Sequence, residues 1–161
     1  LLENGIPRYA CTYAPAREEL LVGEREHGSY RATPTGWSKL QVSTRTERKT
    51  CRAVLSAAHC KPEDIIFAEQ LAGSVGRFGS AGVKMGLIAQ GEAEFYGSGG
   101  LAVWDIAAPL LILHEAGGVT MNGAGKQIDL GALSFTERTQ GFFATTQAYE
   151  QAVRNAVLTR T

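Results

Sequence analysis

Trp104–Gly118, WDIAAPLLILHEAGG, decides the fold of this chain. From Ile106 to Leu113 eight residues in a row are apolar. A helix apolar on every face belongs in an interior, not on a surface. Gly117 and Gly118 supply its stop, because glycine takes up the left-handed conformation that closes a helix. The expected helix therefore runs from Asp105 to Ala116. Its first residue has two readings. A carboxylate at a helix N-terminus is stabilised by the free N–H groups and the dipole, so a plain N-cap accounts for Asp105. A buried helix rarely opens on a charge that lacks a partner, so the other reading is a carboxylate with a partner elsewhere. Trp104 reads as a core residue that fixes the helix start. Pro109 lacks a backbone donor and is tolerable only near the first turn.

Strands and helices alternate around this helix. Leu1–Leu2 and Arg8 to Tyr13 read as a hairpin through a turn at Glu3-Asn4-Gly5. Glu19 to Gly23 reads as a strand, Gly28 to Ser38 as a loop rich in Gly, Pro and Thr, and Leu40 to Ser43 as a short strand. Ala53 to Ala57 is expected as a buried strand, and Pro62 starts a helix to Leu71 with Glu63 and Asp64 in its first turn. Ser80 to Gln90 is expected as a helix capped by Ser80, followed by a strand at Ala93 to Tyr96. Beyond the central helix come strands at Val119 to Met121 and Phe142 to Thr145, with a turn at Asn122 to Lys126. Gln147 to Leu158 closes the chain as an amphipathic helix with Ala148, Ala152, Val153, Ala156 and Val157 on one face. This interleaving predicts an α/β class with a mixed, layered sheet.

Composition narrows the function. The 161 residues carry 16 basic and 16 acidic side chains, so no charge excess points to nucleic acid. The eight-residue apolar run is far too short to span a membrane. The three cysteines, Cys11, Cys51 and Cys60, lack zinc spacing and read as reduced thiols of a cytoplasmic protein. Gly123-Ala124-Gly125-Lys126 lacks the spacing of a phosphate-binding nucleotide loop and reads as a turn. His27, His59 and His114 show no triad partners, and His114 reads as a satisfied core or edge histidine.

WDxAA followed by a long apolar helix and AGG resembles the second signature of the lithium-sensitive, magnesium-dependent sugar-phosphate phosphatases. That superfamily contains inositol monophosphatase, fructose-1,6-bisphosphatase and the 3'(2'),5'-bisphosphate nucleotidases. The resemblance extends to GSAGVKMGLIAQGEAEFYG (Gly79–Gly97), to GGVTMNGAGKQIDL (Gly117–Leu130) and to the first thirty residues, and so to nearly the whole chain. SAAH (Ser56–His59) is a weaker match to a Ser-Arg-Ser-His stretch of the nucleotidases, with Ala57 in place of Arg. The family's other metal ligands, an upstream Glu-Glu pair and an Asp-Pro-x-Asp-Gly-Thr motif, are not matched in this chain. The expectation is a layered αβαβα-type sandwich whose N-terminal part is missing. Residues 1–45 would be the remaining hairpin strands of an N-terminal subdomain, and residues 46–161 a C-terminal α/β subdomain.

The resemblance also implies the chemistry. Phosphate monoesters resist hydrolysis, and paired Mg2+ ions neutralise charge on the attacking and leaving oxygens. Asp105 matches the family's metal ligand. Gly79, Ser80 and Ala81 sit at a helix N-terminus, where free N–H groups face an anion, and with Lys84 they form the substrate-binding candidates. A Lys occupies the Lys84 position in the nucleotidase branch, where it would meet a second phosphate. Ser98 stands seven residues before Asp105, where inositol monophosphatases place a Glu that meets ring hydroxyls. These features imply a Mg2+-dependent 3'(2'),5'-bisphosphate nucleotidase that removes the 3'-phosphate of adenosine 3',5'-bisphosphate. The alternatives are an inositol monophosphatase or broad sugar-phosphate phosphatase and, in another class, a non-catalytic fragment or binding module. The expected partner is a small phosphorylated substrate, with neither nucleic acid nor a membrane span, and with a homodimer among the assemblies considered. With one family ligand present, the chain by itself is expected to be inactive.

Overall fold

The computed structural model describes residues 1–3, 6–129 and 138–160. Leu2–Glu3 (β1) and Ile6–Pro7 (β2) pair as a two-stranded ribbon. Tyr9–Ala14 (β3), Glu19–Glu24 (β4), Gly28–Thr33 (β5) and Gly36–Lys39 (β6) form an antiparallel meander in chain order. Arg52–Ser56 (β7), Pro62–Leu71 (α1), Ser74–Phe78 (β8), Ala81–Ala89 (α2), Phe95–Ser98 (β9), Val103–Glu115 (α3), Gly118–Met121 (β10), Phe142–Thr146 (β11) and Glu150–Thr159 (α4) follow. The second sheet has the order β10-β11-β9-β7-β8, with β7 parallel to both β8 and β9.

Side-chain alternation along the second sheet sorts the molecule into layers. Successive residues of a strand point to opposite faces. Val54, Tyr96, Phe142 and Ala144 point to the face shared with α2, α3 and the meander's Ala10 and Leu21. Ala53, Leu55, Phe95 and Phe143 point to the other face, against Phe67 of α1 and Val153 and Val157 of α4. The layers are thus meander, helix pair, five-stranded sheet, helix pair, which is the expected α/β sandwich; a further helix layer is not among the described residues. Close packing of the first two layers needs small residues. A Cβ on Gly23 would lie 3.2 Å from Ile112, and one on Gly86 would lie 2.9 Å from Leu21. Burying Ile106, Leu110 and Leu113 in the core that these layers share contributes about 1.5–3 kcal/mol for each side chain.

Several expectations need correction. Gly28 to Ser38 is not a loop: β5 and β6 pair across it, with Thr33 opposite Gly36 and only Pro34–Thr35 turning. Leu40 to Ser43 is not a strand; isolated bonds tie it down, from Leu40 N to Ser29 O at 2.8 Å and from Val42 N to Ala116 O at 3.0 Å. Strand β8 was hidden by its glycine, Gly76, which leaves room for Phe78 and Arg52. The first hairpin pairs β1 with β2, and the longer strand, β3, pairs with β4 instead. Asn4 and Gly5 of its turn, and Leu130 at the end of the quoted glycine-rich stretch, lie outside the described residues. The closing segment opens with a single 3-10 turn, Gln147–Tyr149, before α4. The turn after β10 forms as expected, with Asn122 Oδ1 accepting from the N–H groups of Ala124 and Lys126, each at 3.0 Å.

Candidate active site

The parallel strands β7, β8 and β9 end at one edge of the sheet, the place where open α/β sheets bind ligands. Strand β8 feeds α2 through Gly79–Ser80, and β9 feeds α3 through Gly99–Ala102, with β7 between them. A cleft of about 560 Å³ opens at this edge. Ser80 and Gly82 line it from α2, Trp104 and Asp105 from α3, and Tyr13, Arg17 and Glu19 from the meander. The structure therefore brings Ser80 and Asp105 together, although 24 intervening positions separate them in the chain.

Asp105 is not an N-cap. The cap position of α3 is Ala102, which offers no side-chain bond, and Asp105 is the third residue of the helix. Its carboxylate is exposed and makes no hydrogen bond or ion pair among the described residues. Pro109, four residues on, lacks the N–H that would bond the Asp105 carbonyl in a regular helix. Trp104 is not core: it is 66% exposed on the rim of the cleft. The second helical position points outward here, while Val103 and Ile106 take the buried face.

The start of α2 is built differently. Ser80 caps it, its Oγ accepting from Val83 N at 3.4 Å. Ser80 has φ 35°, in the left-handed region that non-glycine residues avoid. The N–H groups of Gly79, Ser80, Ala81 and Gly82 have no acceptor among the described residues. Lys84 departs from its expected role. Its side chain is buried, and its Nζ donates to Gly79 O at 2.8 Å, Ser80 O at 2.9 Å and Phe78 O at 3.4 Å. All three ammonium N–H groups are used within the chain, which leaves none for a phosphate. The ammonium also lies 4.9 Å from the centre of the Tyr96 ring.

A family model settles what this edge belongs to: the inositol monophosphatase family matches residues 1–158. The chain belongs to that family. The Nus factor SuhB of Xylella fastidiosa is 30% identical over 132 residues, which covers 78% of this chain and 46% of that protein. Human inositol monophosphatase 2 is 32% identical over 138 residues, covering 81% of this chain and 46% of its own length. The chain thus spans about half the length of the curated relatives it matches. A staphylococcal inositol monophosphatase II bound to 2'-AMP superposes with a TM-score of 0.77 at 21% identity, over 96% of this chain and 57% of that one. The same enzyme bound to inositol monophosphate superposes with a TM-score of 0.75 at 22% identity, over 96% and 57%.

Most of the other notable residues of this inositol monophosphatase family chain lie away from the Asp105 cleft. Burial pushes the Tyr96 phenol up to about 12; a hydrogen bond with Ser98 opposes the shift, and the charge of Asp105 reinforces it. Ser98 and His59 line a second, smaller cleft at the same edge and do not line the Asp105 cleft. His114 is satisfied, with Nε2 3.0 Å from Thr120 Oγ1, and burial lowers its pKa. All three cysteines are free. Two carboxylates escaped the sequence reading. Glu115 accepts from the N–H groups of Glu26 and Gly28 at 3.0 and 2.9 Å, closing the β4–β5 turn. Glu94 is fully buried and bonds Arg45 at 2.6 Å and the Arg52 N–H at 2.6 Å. Its signal in the sequence was a charge within the apolar stretch Ala93–Tyr96. Arg17 is the cation that lines the Asp105 cleft among the described residues, 3.4 Å from Glu19.

Asp105 suits a hard cation such as Mg2+, which takes oxygen ligands and keeps several waters. No group of three metal-ligating side chains occurs among the described residues. Among the described residues that line this cleft, Asp105 and Glu19 are the carboxylates that could offer oxygen to such an ion.

Proposed function

We propose that this chain is the Asp105-bearing part of a Mg2+-dependent phosphomonoesterase acting on a small polyol or nucleoside phosphate. The observation that carries the reading is the unpartnered, exposed carboxylate of Asp105 across one cleft from the uncommitted N–H groups of α2. The α2 side binds phosphate oxygens, through backbone donors and the positive end of the helix dipole. The Asp105 side offers an oxygen ligand. When bound, Mg2+ would neutralise phosphate charge and lower the pKa of its water. Tyr13 and Trp104, 61% and 66% exposed, border the cleft where the organic part of a substrate would lie.

Two observations favour a second reading, the 3'(2'),5'-bisphosphate nucleotidase. Position 98 holds a serine instead of a carboxylate that would repel a second phosphate, and Arg17, 3.4 Å from Glu19, supplies a cation within the Asp105 cleft. Lys84 no longer supports that reading. The test uses the complete protein with Mg2+ and compares inositol 1-phosphate, 2'-AMP and adenosine 3',5'-bisphosphate. Phosphate release from the first two, absent for the 161-residue chain alone, is expected. A tenfold or greater preference for the bisphosphate, about 1.4 kcal/mol, selects the nucleotidase. No Mg2+-dependent release from any of the three overturns both readings.

A further inference from the structure

We infer that Lys84 is a positioning residue: its ammonium holds the Phe78–Ser80 turn in the conformation that aims the N–H groups of Gly79, Ser80 and Ala81 at the phosphate, beside that of Gly82 at the start of α2. This rests on the reading of the cleft as a phosphomonoester site.

The geometry follows from the planarity of the peptide bond. In a trans peptide the C=O and the next residue's N–H point in opposite directions. Lys84 gathers the carbonyls of Phe78, Gly79 and Ser80 onto one nitrogen, at 3.4, 2.8 and 2.9 Å. The N–H groups of Gly79, Ser80 and Ala81 are thereby turned the other way, and none meets an acceptor among the described residues. Successive N–H groups arranged in this way form a concave anion site. The cap residue in the middle of the turn, Ser80, sits at φ 35°, a conformation that persists only where its surroundings impose it. Lys84 is such an imposition, applied from inside the fold.

A merely structural role would not require the charge. Residues Met85 to Ala89 of the same helix are all buried, and an apolar side chain at position 84 would match them. Lys84 is 3% exposed and has no carboxylate partner among the described residues. A buried ammonium without a counter-charge is destabilising unless its hydrogen bonds are complete. Here they are complete, with the Tyr96 ring face beneath. Burial still pushes the ammonium down to about 8.

The test titrates inorganic phosphate into the isotope-labelled 161-residue chain and follows the backbone amide signals of Gly79 to Gly82. Wild type should respond at those four amides. Lys84→Met should keep the remaining amide pattern and lose the response, with phosphate binding weakened on the order of tenfold or more, as for loss of one charge-assisted contact. Lys84→Gln, which keeps two donors without the charge, should fall between the two, a graded rescue that simple misfolding would not give. An undiminished response in a folded Lys84→Met chain overturns the role of Lys84 and leaves the phosphate reading standing. If the Met variant does not fold, Lys84→Gln decides alone: full wild-type affinity overturns the role. No response in wild type at any phosphate concentration overturns both.

Discussion

Helices α2 and α3 begin at the same edge of the same sheet, one strand apart, and both bury most of their length in the same core. Their first turns are opposites. The α2 start is closed: Ser80 caps it, and Lys84 pins the carbonyls before it. The α3 start is open: Ala102 gives no cap, Pro109 withholds a donor, and Asp105 has no partner among the described residues. Stability alone would favour two closed ends. The closed end fixes a set of donors in place, and the open end leaves an acceptor available. A cleft with rigid donors on one wall and a free carboxylate on the other suits an anion and a cation together, which is the pairing that a metal-assisted phosphate reaction needs.

The sharpest way to break this contrast is Asp105→Asn in the complete protein. Removing a partner behind a metal ligand typically costs 10–100-fold, so losing the ligand itself should lower turnover by more than about a hundredfold. The lost dipole interaction is worth only about 0.3–1 kcal/mol of stability. Near-normal turnover with a lowered melting temperature would reduce Asp105 to a helix-dipole residue and erase the asymmetry.

Lys84 gives the next largest effect. Its folded pKa, about 8, lies below the unfolded value of 10.5, so between those values the unfolded chain binds more protons. Stability attributable to Lys84 should therefore rise with pH across that window, by an amount on the order of 1–3 kcal/mol. Tyr96 beneath it, pushed up to about 12, stays neutral there, and no carboxylate pairs with the ammonium among the described residues. Urea unfolding of wild type and Lys84→Met at pH 7.5 and 10 isolates the difference from other titrating groups. A gap between the two proteins that does not change with pH would contradict the buried cation.

The smallest effects come from exchanging caps. Ser80→Ala should cost about 1 kcal/mol, and Ala102→Ser should gain up to about the same amount. The gain is expected to leave activity unchanged only if the open start of α3 serves nothing beyond freeing Asp105. A melting temperature unmoved by Ser80→Ala would show that Lys84, not the cap, closes α2.

The sequence revealed most where one force dominated. The apolar run of α3 and the glycines after it could only be a buried helix with an abrupt stop, and Gly117 indeed has φ 90°. Pro62 with Glu63 and Asp64 marked α1 equally well. Competing forces hid the rest. Strand β8, with Gly73, Gly76 and Gly79 in and around it, drew no assignment, although Gly73 and Gly76 leave room for Lys49 and for Phe78 with Arg52, and of the three only Gly79 is open. Trp104 looked like core because an aromatic side chain favours burial, but its place on the helix turns it to the cleft. Lys84 looked like a phosphate ligand because charge suggests an external partner, and no local pattern announces three backbone carbonyls as the actual one. The cleft itself was visible only as two separate motifs, since their meeting depends on the strand order.

That strand order also bears on how the chain assembles. The meander β3-β4-β5-β6 joins only neighbours in sequence, within Tyr9–Lys39. The five-stranded sheet must instead bring β7 and β9 together with β11, across residues 52–146. Local pairings close small loops and form quickly, whereas distant ones wait on larger entropic losses. The expected order is the meander first and the sheet carrying Ser80 and Asp105 later, seen as earlier amide protection in Tyr9–Lys39 than in Phe95–Ser98 during refolding. The bond from Arg45, in the segment that follows the meander, to buried Glu94 would then form among the last contacts, tying that segment to the later sheet.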